Sequence, residues 1–269
     1  MAKLIDSYSR LVPTWVAAAQ HLIQRSGEGR TQRNLVLEIV DPLTITVDDR
    51  RIIMAVDDEL RRNQTSIETV AGTIFPQGMF SRFGRPEFYD RYVKAMRVGK
   101  KPNTWGTYAL RLIERKTGVA NETINPLDII VERLRRAKVA GNPFKSAYEA
   151  GIIDTTTDFN DGSNELAEIP TYDPVRDANR NRNMPCLSHL SFKLNDRTSV
   201  DLTAVYRYQY YGQRALGNLI GLGRLLKFVA DEATLSVGSL TCIATHAFFD
   251  ADALGGISRA RQILTDGQA

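Results

Sequence analysis

The stretch that decides the fold reads Leu187-Ser188-His189-Leu190-Ser191-Phe192-Lys193-Leu194, then Asn195-Asp196-Arg197-Thr198, then Ser199-Val200-Asp201-Leu202-Thr203-Ala204-Val205-Tyr206. Leu190, Phe192 and Leu194 share one parity, and so do Val200, Leu202 and Ala204. Side chains alternate across a strand, so each run carries one apolar face, and the polar residues between them predict a hairpin with one buried side. Further on, Leu235 to Phe249 is another apolar strand run. Between the two lies Gly212 to Asp231, a long helix by pattern, whose Gly217, Gly221 and Gly223 suit close approach to a sheet.

Upstream, Leu11 to Ile23 repeats its apolar residues at three and four residue spacing and predicts a helix. Asn34 to Val47 is rich in Leu, Val, Ile and Thr and is broken by Asp41-Pro42, which predicts two short strands. Asp49 to Phe75 predicts one helix ended by Pro76-Gln77-Gly78. Leu127 to Val139 predicts another, capped by Asn125 with Pro126 in its first turn, and its Arg133, Arg135, Arg136 and Lys138 read as a solvated face. Residues 154–183 hold few large apolar side chains and predict a long polar loop. No internal repeat occurs, so a single domain is expected over 1–269.

With 43% hydrophobic and 25% charged residues, 269 residues suffice for one sizeable core. The net charge of +4 comes from basic residues scattered along the chain, so a nucleic-acid partner is not expected. Cys186 and Cys242 are the two cysteines, a usage that fits a reducing compartment and predicts a cytoplasmic protein. Lys3, Asp6 and Arg10 interrupt the start of the chain, which lacks the apolar core of a signal peptide, and no apolar run is long enough to span a bilayer. His21, His189 and His246 have no ligand spacing with the cysteines, so no metal is expected. The glycines of 212–223 lack the spacing of a phosphate loop, and no serine sits in a nucleophile elbow.

What remains is an ordered series: Asn183-Met184-Pro185-Cys186, the hairpin, Tyr206-Arg207-Tyr208-Gln209-Tyr210, Ala215-Leu216-Gly217-Asn218-Leu219-Ile220, and Ala244-Thr245-His246-Ala247-Phe248. This series resembles the thymidylate synthase and pyrimidine nucleotide hydroxymethylase family, with the pattern of a diverged member. Pro185-Cys186 matches the family's Pro-Cys nucleophile, Arg207 to Asn218 matches its Arg-Ser-x-Asp to Pro-Phe-Asn segment, and Thr245-His246-Ala247-Phe248 is similar to its Thr-His-x-Tyr motif. Upstream, Arg30-Thr31 resembles the early Arg-Thr of the phosphate loop, Glu68 the helix glutamate, and Gly106-Thr107-Tyr108 the Gly-x-x-Tyr segment.

The resemblance implies an α/β (α+β) fold with a large mixed β-sheet flanked by helices, a homodimer joined through sheet faces, a pyrimidine nucleotide substrate and 5,10-methylenetetrahydrofolate as cofactor. It implies catalytic roles for Cys186, Glu68 and Tyr108, and substrate-binding roles for Arg30, Arg207, Asn218 and His246. The chemistry is coherent. A thiolate adding to C6 of a pyrimidine turns C5 into a nucleophile toward a one-carbon electrophile, giving methylation or hydroxymethylation. Arg207 would lower the thiol pKa or hold the phosphate, Asn218 would pair with the base, and Glu68 would move protons through water.

The chain also departs from the family. Tyr210 stands for the folate-contacting Asp, Tyr208 for the phosphate-binding Ser, Leu187 for the His after the nucleophile, and Ser191 for a Gln. Glu165-Leu166 stand for the Arg pair lent across the dimer, with Arg176, Arg180 and Arg182 nearby, and a shortened segment follows His246. These departures sustain a second reading, a catalytically altered member that binds a nucleotide or acts as a partner protein, and behind it a third, a nucleic-acid substrate admitted to a pocket that loss of the phosphate clamp opens.

Overall fold

The computed structural model describes residues 2–5, 8–99, 106–116, 122–139, 168–170 and 185–266. Its strands are β1 Lys3–Leu4, β2 Tyr8–Arg10, β3 Thr31–Asp41, β4 Arg115–Lys116, β5 Thr123–Ile124, β6 Glu168–Pro170, β7 Leu187–Asn195, β8 Ser199–Tyr206, β9 Gln209–Tyr210 and β10 Ser236–Phe248. Its helices are α1 Leu11–Gln24, α2 Val47–Arg62, α3 Ile67–Ile74, α4 Gln77–Phe83, α5 Glu87–Gly99, α6 Tyr108–Ile113, α7 Pro126–Val139, α8 Leu216–Glu232 and α9 Ile257–Asp266.

The main sheet runs β1-β3-β10-β8-β7-β6, with β2 beside β3 and β9 beside β10. It is mixed, because β10 lies antiparallel to β3 and parallel to β8. The expected α/β architecture with a mixed sheet is therefore observed. Leu35, Leu37, Ile39, Leu202, Ala204, Tyr206, Leu240, Cys242 and Ala244 are buried on one face, in the core that α1 and α8 cover. The alternate residues, such as Val36, Val205 and Ile243, are only half-buried, so the opposite face is open. No helix among the described residues is long and apolar enough to cross a membrane.

The hairpin forms as read. β7 and β8 pair antiparallel from Asn195↔Ser199 to Leu187↔Tyr206, and Asp196 and Arg197 adopt positive φ of 46° and 58° to turn the chain. Two positive φ values in a row match the right-handed twist of the strands they join. Asn125 caps α7 as expected, its Oδ1 accepting from the Asp128 amide at 3.0 Å.

Three expectations are corrected. The second short strand before Val47 does not form, because Asp41 Oδ1 accepts the amides of Leu43 and Thr44 and curls the chain into a turn. Thr46 and Asp49 then close a reciprocal capping box that starts α2. The single helix of 49–75 is two helices. Gln64 takes a φ of 57°, Ser66 caps α3, and Asp57 Oδ1 accepts the Ile67 amide at 2.7 Å. Glycines in α8 serve a helix contact instead of a sheet contact: a Cβ on Gly217 would meet Val70 Cβ at 2.7 Å, and one on Gly221 would meet the Ala71 carbonyl at 2.7 Å. The basic face of α7 is also partly engaged, since Arg135 donates to the Glu232 carbonyl at 2.6 Å and Lys138 to the Thr234 carbonyl, both at the end of α8. That is where a helix dipole favours cations. The polar loop predicted at 154–183 lies outside the described residues apart from 168–170.

Candidate active site

Cys186 is placed by its backbone. Tyr108 opens α6 behind a Thr107 cap, and its buried hydroxyl accepts the amides of Cys186 at 3.1 Å and Leu187 at 3.2 Å. From the other side, the Arg207 amide donates to the Cys186 carbonyl at 2.8 Å, and Arg207 Nη2 donates to the Pro185 carbonyl at 2.5 Å. The end of β8 and the start of α6 thus clamp the residue at the head of β7, and the clamp holds the Arg207 guanidinium beside the thiol.

Both cysteines are free, but they are not equivalent. Cys242 is sealed in the core, and burial pushes its thiol up to about 12. Cys186 is half-exposed; burial raises its thiol, while the charges of Arg207 and then Arg214 pull it down. Guanidinium charge favours the thiolate, the nucleophilic form. Burial likewise pushes the Tyr108 hydroxyl up to about 12, so it keeps its proton at neutral pH.

Arg214 was not found by sequence reasoning. It lies in a π-helical turn, Tyr211–Ala215, that precedes α8, and nothing in the local composition marks it. The turn itself hangs from Asp250, whose Oδ1 accepts the Gly212 amide at 2.7 Å and whose Oδ2 accepts the Gln213 amide at 3.1 Å. Glycine is required at 212, because a Cβ there would stand 2.4 Å from the Asp250 carbonyl oxygen. Replacing Arg214 by Gln is expected to move the pH midpoint of Cys186 alkylation by iodoacetamide upward, read by peptide mass spectrometry, with Cys242 unlabelled in the folded protein.

Burial raises the Asp250 carboxyl to about 6, against the amides that favour its ionised form. A carboxyl that binds its proton more tightly folded than unfolded stabilises the fold below its unfolded pKa near 4, and that contribution is lost as pH rises to about 6. Asp41, Asp49, Glu59 and Glu68 are shifted downward and give the opposite slope at lower pH. Denaturation of Asp250→Asn at several pH values is therefore expected to show less decline in stability between pH 4 and 6 than the parent.

The other expected site residues fall as follows. Asn218 is 5% exposed in the first turn of α8, and its side-chain amide has no partner among the described residues. His246 stands near the end of β10 with its ring stacked on Tyr208, centroids 4.7 Å apart and planes 13° apart. Arg30 takes a φ of 57°, and its carbonyl accepts the Phe249 amide at 3.0 Å, beside Asp250. Its Nε is buried without a protein partner among the described residues. Glu68 is not joined to this group. Both of its oxygens accept from Arg224, at 2.8 and 2.7 Å, which holds its carboxyl below the usual range. It lines a groove of about 400 Å³ with Ile45, Ile53, Ile67 and Ile220, whose lining includes neither Cys186 nor Tyr108. No cluster of three or more metal-ligating side chains occurs among the described residues.

No family model matches the chain. Two curated proteins share sequence with it. One named "Putative thymidylate synthase" from Methanopyrus kandleri is 35% identical over 77 residues, 29% of this chain and 36% of that protein. Another of the same name from Methanococcoides burtonii is 34% identical over 79 residues, 29% of this chain and 34% of that protein. The match therefore spans about a third of the length of these relatives. Among solved structures, thermostable thymidylate synthase A from Bacillus subtilis aligns with a TM-score of 0.48 at 10% identity, over 95% of this chain and 84% of that one. The resemblance read from the residues is thus met by sequence likeness, over 29% of this chain, to two proteins named for thymidylate synthase.

Proposed function

We propose that this chain activates C5 of a pyrimidine nucleotide for one-carbon transfer, by addition of Cys186 to C6. The observation that carries the reading is the contrast between the two thiols: one is sealed in the core, and the other is half-exposed, clamped by Tyr108 and Arg207 and under the charge of two guanidinium groups. In this reading the Cys186 sulfur bonds to C6, and the ring electrons move onto C5 and the C4 oxygen as an enolate. Arg207 and Arg30 supply charge for the nucleotide phosphate, and Asn218 offers an amide donor and acceptor to the base edge. His246, braced by Tyr208, borders the sugar. Tyr108 fixes the nucleophile's backbone and keeps a hydroxyl proton available. Glu68 completes the expected catalytic set only if it leaves Arg224.

The one-carbon donor implied by the family resemblance is 5,10-methylenetetrahydrofolate. A pterin edge presents N–H donors that want a carboxylate. Tyr210 stands where the family has that Asp, and the nearby Asp250 carboxylate is occupied by two backbone amides. The residues present do not fit the cofactor at that edge, and the addition of Cys186 to the ring does not depend on it. A second copy of the chain would join through the part of the open sheet face around Val36 and Val40 of β3, towards its Asp41 end, leaving the Thr31 end of that face uncovered. The two free cysteines suit the cytoplasm.

The engagement of Glu68 by Arg224 favours the second reading, a nucleotide-binding or partner protein without turnover. One assay separates the two. The protein is incubated with C5-tritiated dUMP, dCMP, UMP or CMP, with and without the folate. Release of tritium into water from any of them supports C6 addition, and binding of a nucleotide without release from all four supports the second reading.

A further inference from the structure

The register of three strands assembles a surface that the sequence disperses. β9 pairs with β10 through Ala247↔Gln209 and Phe248↔Tyr210, and β10 pairs with β3 through His246↔Arg33, Ala247↔Gln32 and Phe248↔Thr31. Gln209, Ala247 and Gln32 are buried, so the residues on either side of them in each strand face the other way. That face presents the aromatic rows Tyr208 with His246 and Tyr210 with Phe248, bordered by Arg33.

The rings form one continuous ladder. Tyr208 lies parallel to His246 at 4.7 Å, Tyr210 follows at 4.9 Å from Tyr208, and Phe248 meets Tyr210 edge-on at 6.0 Å. Tyr210 is 41% exposed, and the ladder begins beside Arg207, the residue that clamps Pro185-Cys186. Tyr208, His246 and Phe248 are half-buried beside Tyr210, Arg33, exposed on the same face, gives the ladder positive charge, and exposed Arg207 stands in the bend just before Tyr208. Aromatic rings on adjacent strands flanked by arginines match what single-stranded nucleic acid requires: π-faces for successive bases and cations for the phosphates between them.

The geometry points to a binding platform for a single-stranded polynucleotide on Tyr208, Tyr210, His246 and Phe248, with phosphates held by Arg33 and Arg207. Its place beside Cys186 rests on the function proposed above and deepens it: the pyrimidine that reaches the thiol is a base within a strand, drawn out of its stack over Tyr208.

The test is fluorescence anisotropy of the full chain with labelled dT12, U12 and a 12-base-pair duplex, at several salt concentrations. Single strands are expected to bind more tightly than the duplex, and comparison of dT12 with U12 assigns the sugar. Tyr210→Ala is expected to weaken binding roughly 5- to 150-fold, the range for one lost base stack, while Tyr210→Phe keeps it. Arg33→Gln is expected to lower the slope of log K against log salt by about 0.7, the value for one phosphate on a single strand. Absence of binding by both strands at low salt, or binding indifferent to Tyr210→Ala, overturns the platform. Oligonucleotide binding without tritium release from any substrate leaves the platform and removes the catalytic reading; release from free nucleotides without oligonucleotide binding does the reverse.

Discussion

Cys186→Ala lowers tritium release from C5 by on the order of 10³-fold or more, the expected result of deleting a covalent nucleophile. The size follows from the lack of a substitute among the described residues. The second thiol, Cys242, is 1% exposed, its sulfur lies 3.9 Å from Gln209 Oε1, and burial holds it protonated. Cys242→Ala should therefore keep release near the parent rate. The fold should survive loss of the Cys186 sulfur, because the contacts that place this residue are made by its amide and carbonyl with Tyr108 and Arg207. Near-parent thermal stability of Cys186→Ala together with lost release is the expected pair of measurements. Loss of both would mean that the thiol is structural.

The second large effect is on stability. Phe228 on α8 sits at the centre of an aromatic cluster, with ring centroids 4.9 Å from Phe75, 4.9 Å from Phe80, 5.5 Å from Phe88 and 6.4 Å from Tyr89. Most of these pairs meet edge to face, the arrangement that the ring quadrupoles favour. The cluster joins α8 to the end of α3 and to α4 and α5, so deletion of one ring leaves a cavity walled by rings that cannot all follow it inward. Phe228→Ala is expected to destabilise the protein by about 3–5 kcal/mol, lowering the melting temperature on the order of 10 °C. Since α8 also carries Asn218, nucleotide binding should weaken in the same variant before global unfolding. Scanning calorimetry with and without nucleotide reads both effects.

Much of this was legible in the sequence, for definite reasons. The β7–β8 hairpin combines period-two burial with a polar turn, two signals that agree, and it formed with its expected boundaries to within a residue. α1 and α7 were readable because their stripes and caps are local. The errors came from side chains acting on the backbone: Asp41 gathering two amides turned an expected strand into a bend, and Asp57 with Ser66 cut one helical pattern into two. Neither changes the hydrophobic period, so the pattern alone cannot show them.

Of the candidate residues that the resemblance singles out, the fold brings Cys186, Tyr108 and Arg207 together and leaves Glu68 apart with Arg224. Arg214 and Asp250 were missed because their significance is positional: one is carried on a π-helical turn, and the other holds that turn through amides 38 and 37 residues before it in the chain. The aromatic ladder was hidden for the same reason, since strand register alone unites residues 33, 208, 210, 246 and 248.

Above all, the Cys186 sulfur is expected to form a bond to a pyrimidine ring. Intact-mass and peptide analysis of acid-quenched protein after incubation with a 5-fluoropyrimidine nucleotide reads that bond, because fluorine at C5 makes C6 more electrophilic and raises the population of the adduct. A gain of one nucleotide mass on the Cys186 peptide is predicted; an unmodified Cys186 in a protein that demonstrably binds the nucleotide would contradict the account.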